Sequence, residues 1–186
     1  MDRTVDFLYE IGNMKRVARS GWWVGGIRTP ETVAEHSFRV AWIGYLLAHK
    51  EGADTGRVLA MCLAHDVQEA RINDHHKVSQ AYLDPKPVEP EVFADQVKDL
   101  PGSEDLIALF HEYVAGETLE AQVAHDADRL ESAVQALEYI SQGHPACRPW
   151  FDNARPRLQT ASGRSLHAAL EGSDPHAWYQ SLPRVP

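Results

Sequence analysis

The sequence predicts an all-α fold, and three observations carry that expectation. Apolar residues recur at helical spacing along nearly the whole chain. Residues that favour helix starts and stops flank the periodic segments. No stretch alternates apolar and polar residues as a half-buried strand would, and there is no internal repeat or low-complexity tract. The 186 residues are expected to form one domain, 1–186, long enough for a sizeable core.

Taken in order, Val5, Leu8, Ile11 and Met14 recur at spacing three and predict an amphipathic first helix. The segment "ARSGWWVGGIRTP", with three glycines and a closing proline, reads as a loop. A helix start follows, either at Thr29 before Pro30 or at Thr32, which forms a capping box with Glu35; this helix should run to about His49. Asp54 can cap the next helix, which carries "RVLAMCLAHDVQEAR". A proline-rich, charged loop, "LDPKPVEPE", comes next. Helices are then expected over 91–100, 103–115 and 118–142, with Gly116 and Gly143 as stops. The stretch "HPACRPWFDNARPRL" reads as irregular. Two short helices, over 165–171 and 175–182, should close the chain, the second capped by Asp174.

A formal net charge of −9 disfavours nonspecific binding to nucleic acid polymers, which demands many phosphate-neutralising cations. The charge is uneven, however. Residues 11–30 contain no Asp or Glu but carry Lys15, Arg16, Arg19 and Arg28 beside Trp22 and Trp23. Such a basic, aromatic stretch suits a small anion that bears a ring, and it also fits a solvated loop with two packing tryptophans. No run of about 18 uncharged apolar residues is present, so no membrane partner is expected. The charged N-terminal stretch lacks a signal-peptide core, and two cysteines give neither a disulfide framework nor a CxxC pair. A cytoplasmic location is the expectation.

The chemistry sits on faces that otherwise look like core. His36 shares a stripe with Val40, Ile43 and Leu47. Val58, Met61, Cys62, His65, Glu69 and Ile72 form another, with His65 and Glu69 four apart. Val123, Leu130, Val134 and Leu137 form a third, with Asp126 and Asp128 beside it. A buried carboxylate needs a cation or dense hydrogen bonding. A divalent metal meets that need, and imidazoles with carboxylates are a normal set for a first-row cation. Adjacent helix residues such as His65 and Asp66 point roughly 100° apart, so periodicity alone does not bring both to one ion.

His36, then His65-Asp66, then Asp128 resemble the H…HD…D signature of the HD-domain metal-dependent phosphohydrolases. "FLYEIGNMKRVARSGWW", "PETVAEHSFRVA", "LAHDVQEARIND" and "HDADRLESAVQALEY" are similar to the 5′-deoxynucleotidase-like branch of that family, over about residues 7–142, leaving 143–186 as a helical extension. The resemblance implies an HD-domain helical bundle in which His36, His65, Asp66 and Asp128 hold one divalent ion (Mn, Co, Ni, Fe, Zn or Mg). His125 and Asp126 are left out of that set as locally bonded neighbours. Glu69 is implied to orient or deprotonate the attacking water, and Asp74 to hold the sugar or protonate the leaving oxygen. Arg19 is the implied phosphate contact, with Arg16 as a second candidate and Lys77 as an added cation where the chain leaves the family pattern, and Trp22 is implied to pack on the base or sugar. The chain departs from the branch at Gly25, where relatives often carry arginine, and at His75-His76-Lys77, where they usually continue with small or apolar residues.

The activity so implied is hydrolysis of deoxyribonucleoside 5′-monophosphates by a nucleotide-binding homodimer. Two alternatives stand beside it: a nucleoside triphosphate hydrolase of the same superfamily, and a non-catalytic nucleotide sensor that keeps metal for stability.

Overall fold

In a computed structural model, residues 3–180 and 182–183 are described, and among them the fold is helical, with a single isolated β-bridge between Ala18 and Thr32. α1 spans Arg3–Ile11 and gives way to a 3-10 turn at Gly12–Lys15. That tighter turn aims Met14 into the core. α1 itself has no buried residue: Val5 and Leu8 stay exposed, and only Phe7 and Ile11 pack at the core's edge. The short α2, Gly21–Val24, lies inside the glycine-rich loop.

α3, Val33–Glu51, starts at Thr32, whose side chain accepts from the Glu35 amide while Glu35 accepts from the Thr32 amide. Of the two starts the sequence offers, the capping box is the one used, because it satisfies two orphan amides at once. Asp54 caps α4, Thr55–Ala64, through the Arg57 amide. The sequence predicted that this helix would carry through Arg71, but it stops at Ala64. Residues 65–68 form turns closed by i to i−3 bonds, and the chain resumes as α5, Glu69–Ile72.

α6, Lys77–Gln80, and α7, Glu89–Val97, follow; α7 begins two residues earlier than expected because Pro90 sits in its first turn. α8, Ser103–Ala115, and α9, Leu119–Ser141, match their expected spans. The stretch expected to be irregular is mostly helical: a 3-10 turn at Pro145–Cys147, α10 at Arg148–Ala154 and a second 3-10 turn at Arg155–Arg157. Its prolines fall in first turns, where a missing amide is tolerated, rather than in helix interiors. α11, Ala161–Leu170, starts at a Thr160 cap, and α12 spans Ala177–Gln180.

The centre of the molecule is the packing of α3, α4 and α9 on one another, with α10 and α11 laid against α9. The inward face of α9 is narrower in side chain than expected: Ala121, Ala124, Ala127, Ala133 and Ala136 are buried, whereas Val134 and Leu137 are only partly so. Small residues let α3 approach closely. The same holds on α3, where a Cβ at Gly44 would lie 2.6 Å from the Cys62 sulfur. That close approach of α3 and α4 sets the depth of Cys62, and hence of His65 one turn beyond it.

Candidate metal centre

His36 is the fourth residue of α3 and is wholly buried. Its Nδ1 meets Glu131 Oε2 at 2.5 Å. Its Nε2 faces Asp128 Oδ1 at 3.2 Å and Asp66 Oδ2 at 3.7 Å, yet makes no hydrogen bond. His65, at the end of α4, turns its Nδ1 back to the Cys62 carbonyl at 2.9 Å. A carbonyl only accepts, so Nδ1 is the donor here and Nε2 is the nitrogen left to face the centre. That Nε2 is buried and unpartnered, 3.2 Å from Asp66 Oδ2. The ligand atoms of His36, His65 and Asp66 lie within 4.8 Å of one another, and Asp128 joins them through its approach to His36.

The break after Ala64 explains how adjacent residues can share a centre. In a continuous α-helix His65 and Asp66 would diverge; in the tight turns that replace it, both tips meet. His65 and Glu69 are therefore not consecutive turns of one helix. Instead, Glu69 opens α5 with a carboxylate oxygen that is buried and has no partner.

The electrostatics are those of a cation site. Burial alone would raise the Asp66 carboxyl, but His65, Arg19 and His36 outweigh it and hold it at about 2. Asp128 is only partly exposed, and desolvation opposes its charge too, yet His36, His65 and Arg19 pull it well below the usual carboxylate range. Burial, reinforced by Asp66, pushes the Glu69 carboxyl well up. At His36, burial and Arg19 oppose a proton, yet Glu131 and Asp128 win and raise it to about 9. Carboxylates that draw a proton this strongly toward an imidazole also draw a metal ion, which binds in the proton's place. Two orphaned imidazole nitrogens facing two carboxylates fit a first-row divalent cation.

Arg19 supplies the positive charge that the structure itself offers. Its Nη1 lies 3.2 Å from Asp66 Oδ2 and its Nη2 3.8 Å from Asp128 Oδ1. Its amide donates to the Glu31 carbonyl, and the next residue is clamped by Asp74: the Ser20 amide donates to Asp74 Oδ2 at 2.5 Å, and the Ser20 hydroxyl to the Asp74 carbonyl at 3.0 Å. Asp74 thus braces the loop that carries Arg19. It follows Asn73, whose φ of 64° and ψ of 165° turn the chain sharply out of α5.

The other expected substrate contacts are scattered. Arg16 is exposed, with its Nε on the Asn13 side chain at 3.2 Å, and Lys77 is exposed at the first position of α6. Trp22 corrects its expectation. It is only 2% exposed, its ring 5.1 Å from Tyr139 and 5.2 Å from Trp150, and its Nε1 donates to Glu31. Buried to that degree beside two other rings, it presents no open face to a base; it holds the loop from beneath. The neighbours set aside from the ligand set do bond locally. His125 Nε2 donates to the Tyr113 carbonyl, and Asp126 accepts from Gln159 and Thr160.

Two residues without a role in the sequence reading belong to the site: Glu131, which holds His36, and Arg39, which holds Glu131. A signal was present, since each stands three residues from a motif residue, Asp128 and His36, and so shares its face.

A helical bundle whose centre gathers two imidazoles and two carboxylates beside an arginine carries a candidate histidine–aspartate metal site. Residues 11–168 match the HD domain family, and the chain belongs to it. The match runs past residue 142 into α11, so α10 and most of α11 are part of the family's pattern. The 5′-deoxynucleotidase HDDC2 of Dictyostelium discoideum is 28% identical, covering 92% of this chain and 98% of that one. Among solved structures, a conserved hypothetical protein from Pyrococcus furiosus superposes with a TM-score of 0.75 at 31% identity, covering 90% of this chain and 98% of that one. A "predicted metal-dependent phosphohydrolase" from Magnetospirillum magnetotacticum gives 0.72 at 28%, covering 91% and 89%.

Proposed function

We propose that the protein is a metal-dependent phosphomonoesterase that hydrolyses deoxyribonucleoside 5′-monophosphates to deoxynucleoside and inorganic phosphate. The observation that carries this reading is the pair of buried, unpartnered imidazole nitrogens turned toward two carboxylates, next to one guanidinium and one unpartnered carboxylate. The names of the curated relatives, all 5′-deoxynucleotidases, support the substrate class.

In this reading His36, His65, Asp66 and Asp128 hold one divalent ion. When bound, such an ion polarises the phosphoryl group and acidifies a water. Arg19 pairs with the phosphate, where its planar fork fits two oxygens, and Arg16 and Lys77 add charge from the rim. Glu69 takes the proton from the attacking water. Water's oxygen bonds to phosphorus as the bond to the 5′ oxygen breaks, and that oxygen leaves with a proton. Asp74 serves the sugar or the leaving oxygen through the carboxylate oxygen that Ser20 does not occupy. A cytoplasmic homodimer completes the reading. Phe38, Trp42 and Leu46 form an exposed apolar stripe at spacing four along α3, and two unpaired buried cysteines suit a reducing compartment.

The test is a phosphate-release assay on deoxynucleoside mono- and triphosphates, run with several metals and with Glu69→Gln. Orthophosphate from the monophosphates is expected, with turnover falling by about 10²–10⁴-fold in the variant while metal content is retained. No release from any monophosphate with any metal would sink the assignment. Sedimentation at micromolar concentration reads the homodimer, and a monomer there would remove it.

A further inference from the structure

We propose that Arg39 and Glu131 are a positioning pair that holds His36 with its proton on Nδ1 and its Nε2 lone pair turned to the centre. The inference rests on reading His36 as a metal ligand, and it goes beyond the four ligands to what aims one of them.

The two oxygens of Glu131 have separate tasks. Oε2 lies 2.5 Å from His36 Nδ1, while Oε1 meets Arg39 Nε at 2.9 Å and Arg39 Nη2 at 2.8 Å. A carboxylate only accepts, so the imidazole must donate from Nδ1. Nε2 is then the nitrogen left to face a cation, and among the described residues it has no hydrogen-bond partner. Glu131 is wholly buried, and an ionised carboxylate there is costly unless a cation balances it. Arg39 balances it from the side away from His36. It stands one turn beyond His36 on α3, as Glu131 stands one turn beyond Asp128 on α9, so the two helices that supply ligands also supply the pair.

The guanidinium is itself held. Nη1 meets Glu138 Oε1 at 2.8 Å and Nη2 meets Gln135 Oε1 at 2.5 Å, so it is gripped by α9 residues at 131, 135 and 138. A fork fixed at both ends fixes the plane of the Glu131 carboxylate, and that plane sets the direction in which the imidazole points. Arg39 also borders an open cavity of about 640 Å³. Shortening its side chain therefore admits water beside Glu131 rather than leaving a void.

The experiment titrates metal-free protein with Mn²⁺ by calorimetry, in wild type, Arg39→Met, Arg39→Lys, Glu131→Gln and Glu138→Gln. The first of these variants should bind Mn²⁺ about 10–100-fold more weakly. Lysine, which restores charge without the fork, should recover part of that loss. Glu138→Gln removes one grip on Arg39 but leaves Gln135 and Glu131 in place, and should lose clearly less affinity than Arg39→Met. Long-range proton–nitrogen NMR of the Zn²⁺-loaded protein should find the His36 proton on Nδ1 in wild type, and a ring that exchanges between its two nitrogens in Arg39→Met. Unchanged Mn²⁺ affinity in Arg39→Met, or an equal loss in Glu138→Gln, overturns the proposal and reduces the pair to a staple between helices. Should Arg39→Met fail to fold, Glu131→Gln decides alike: weakened binding supports the pair, unchanged binding overturns it. No substrate enters this test, so a failure of phosphate release leaves it standing, whereas a wild type that takes up no Mn²⁺ overturns the ligand reading and the pair together.

Discussion

Asp126 and Asp128 stand two residues apart on α9 and carry opposite chemistry. Residues two apart on a helix point roughly 200° from each other, so the pair faces two different regions. Asp126 faces the C-terminal helices and is wholly buried. Its carboxylate accepts from the Gln159 amide at 2.9 Å, the Thr160 amide at 2.8 Å and the Thr160 hydroxyl at 2.8 Å, with Arg129 at 3.4 Å. Even the backbone is shaped to it, since a Cβ at Gly163 would lie 2.6 Å from Asp126 Oδ2. Asp128 faces the centre, where its neighbours are the unpartnered Nε2 of His36 and the guanidinium of Arg19. Depth therefore does not mark the functional carboxylate, for the structural one is buried deeper. What marks it is the neighbour left unsatisfied: a buried imidazole nitrogen without a partner is the feature that calls for a cation.

The comparison breaks most sharply at Asp128. Asp128→Ala is expected to lose bound metal and to drop phosphate release to background, the largest effect of any single change outside the other ligands. The same substitution should move the stability of the metal-free protein by less than about 1 kcal/mol, because the aspartate is partly exposed and no backbone amide depends on it. Elemental analysis beside a thermal melt reads both. Retained metal, or a melt that collapses in the metal-free state, would mean that the two aspartates are alike after all.

Asp126→Ala should show the reverse. It strands the Gln159 and Thr160 amides and the Thr160 hydroxyl, and buried groups left unpaired cost about 1–3 kcal/mol each. A total near 3 kcal/mol lowers the midpoint of a chain this size by roughly 6–12 °C. Below the melt, Mn²⁺ uptake should stay within about twofold of wild type. Loss of metal in the folded variant would show that the C-terminal helices support the centre directly.

The sequence carried the helical class, because periodicity and caps are local: Thr32 with Glu35, and Asp54, cap where their side chains said they would. It also placed His36 and His65 on inward stripes and Asp128 beside one, while Asp66 entered the set through the family resemblance; the structure brings the four side chains near one another. Three things were not legible. The helix break after Ala64 leaves no glycine or proline to announce it; it follows from His65 turning its Nδ1 to the Cys62 carbonyl and from packing against α3. The burial of Trp22 depends on Tyr139 and Trp150, more than 100 residues away in sequence, which local pattern cannot supply. The third was the helical character of the proline-rich 144–157 segment, since its prolines mark helix starts only once α9 gives those short helices a surface to pack on.

The smallest predicted effect concerns the turn that aims Asp74. Asn73 ends α5 with its amide on the Glu69 carbonyl, at a φ and ψ that glycine adopts freely and other residues resist by about 1–3 kcal/mol. The chain maintains that conformation against its cost because it delivers the Asp74 carboxylate to the Ser20 amide, and so fixes the loop that presents Arg19. Asn73→Gly removes the strain but adds freedom to the unfolded chain, and the difference leaves a gain of about 0.5–1 kcal/mol. Activity should be unchanged, because Asp74 is delivered to the same place. Asn73→Val cannot relax in that way: its branched side chain opposes a positive φ, so the turn should open and the Michaelis constant for the monophosphate should rise before metal affinity changes. If the valine variant instead lost metal first, the turn would belong with the ligands, and the division between a centre that binds the cation and a loop that binds the phosphate would have to be redrawn.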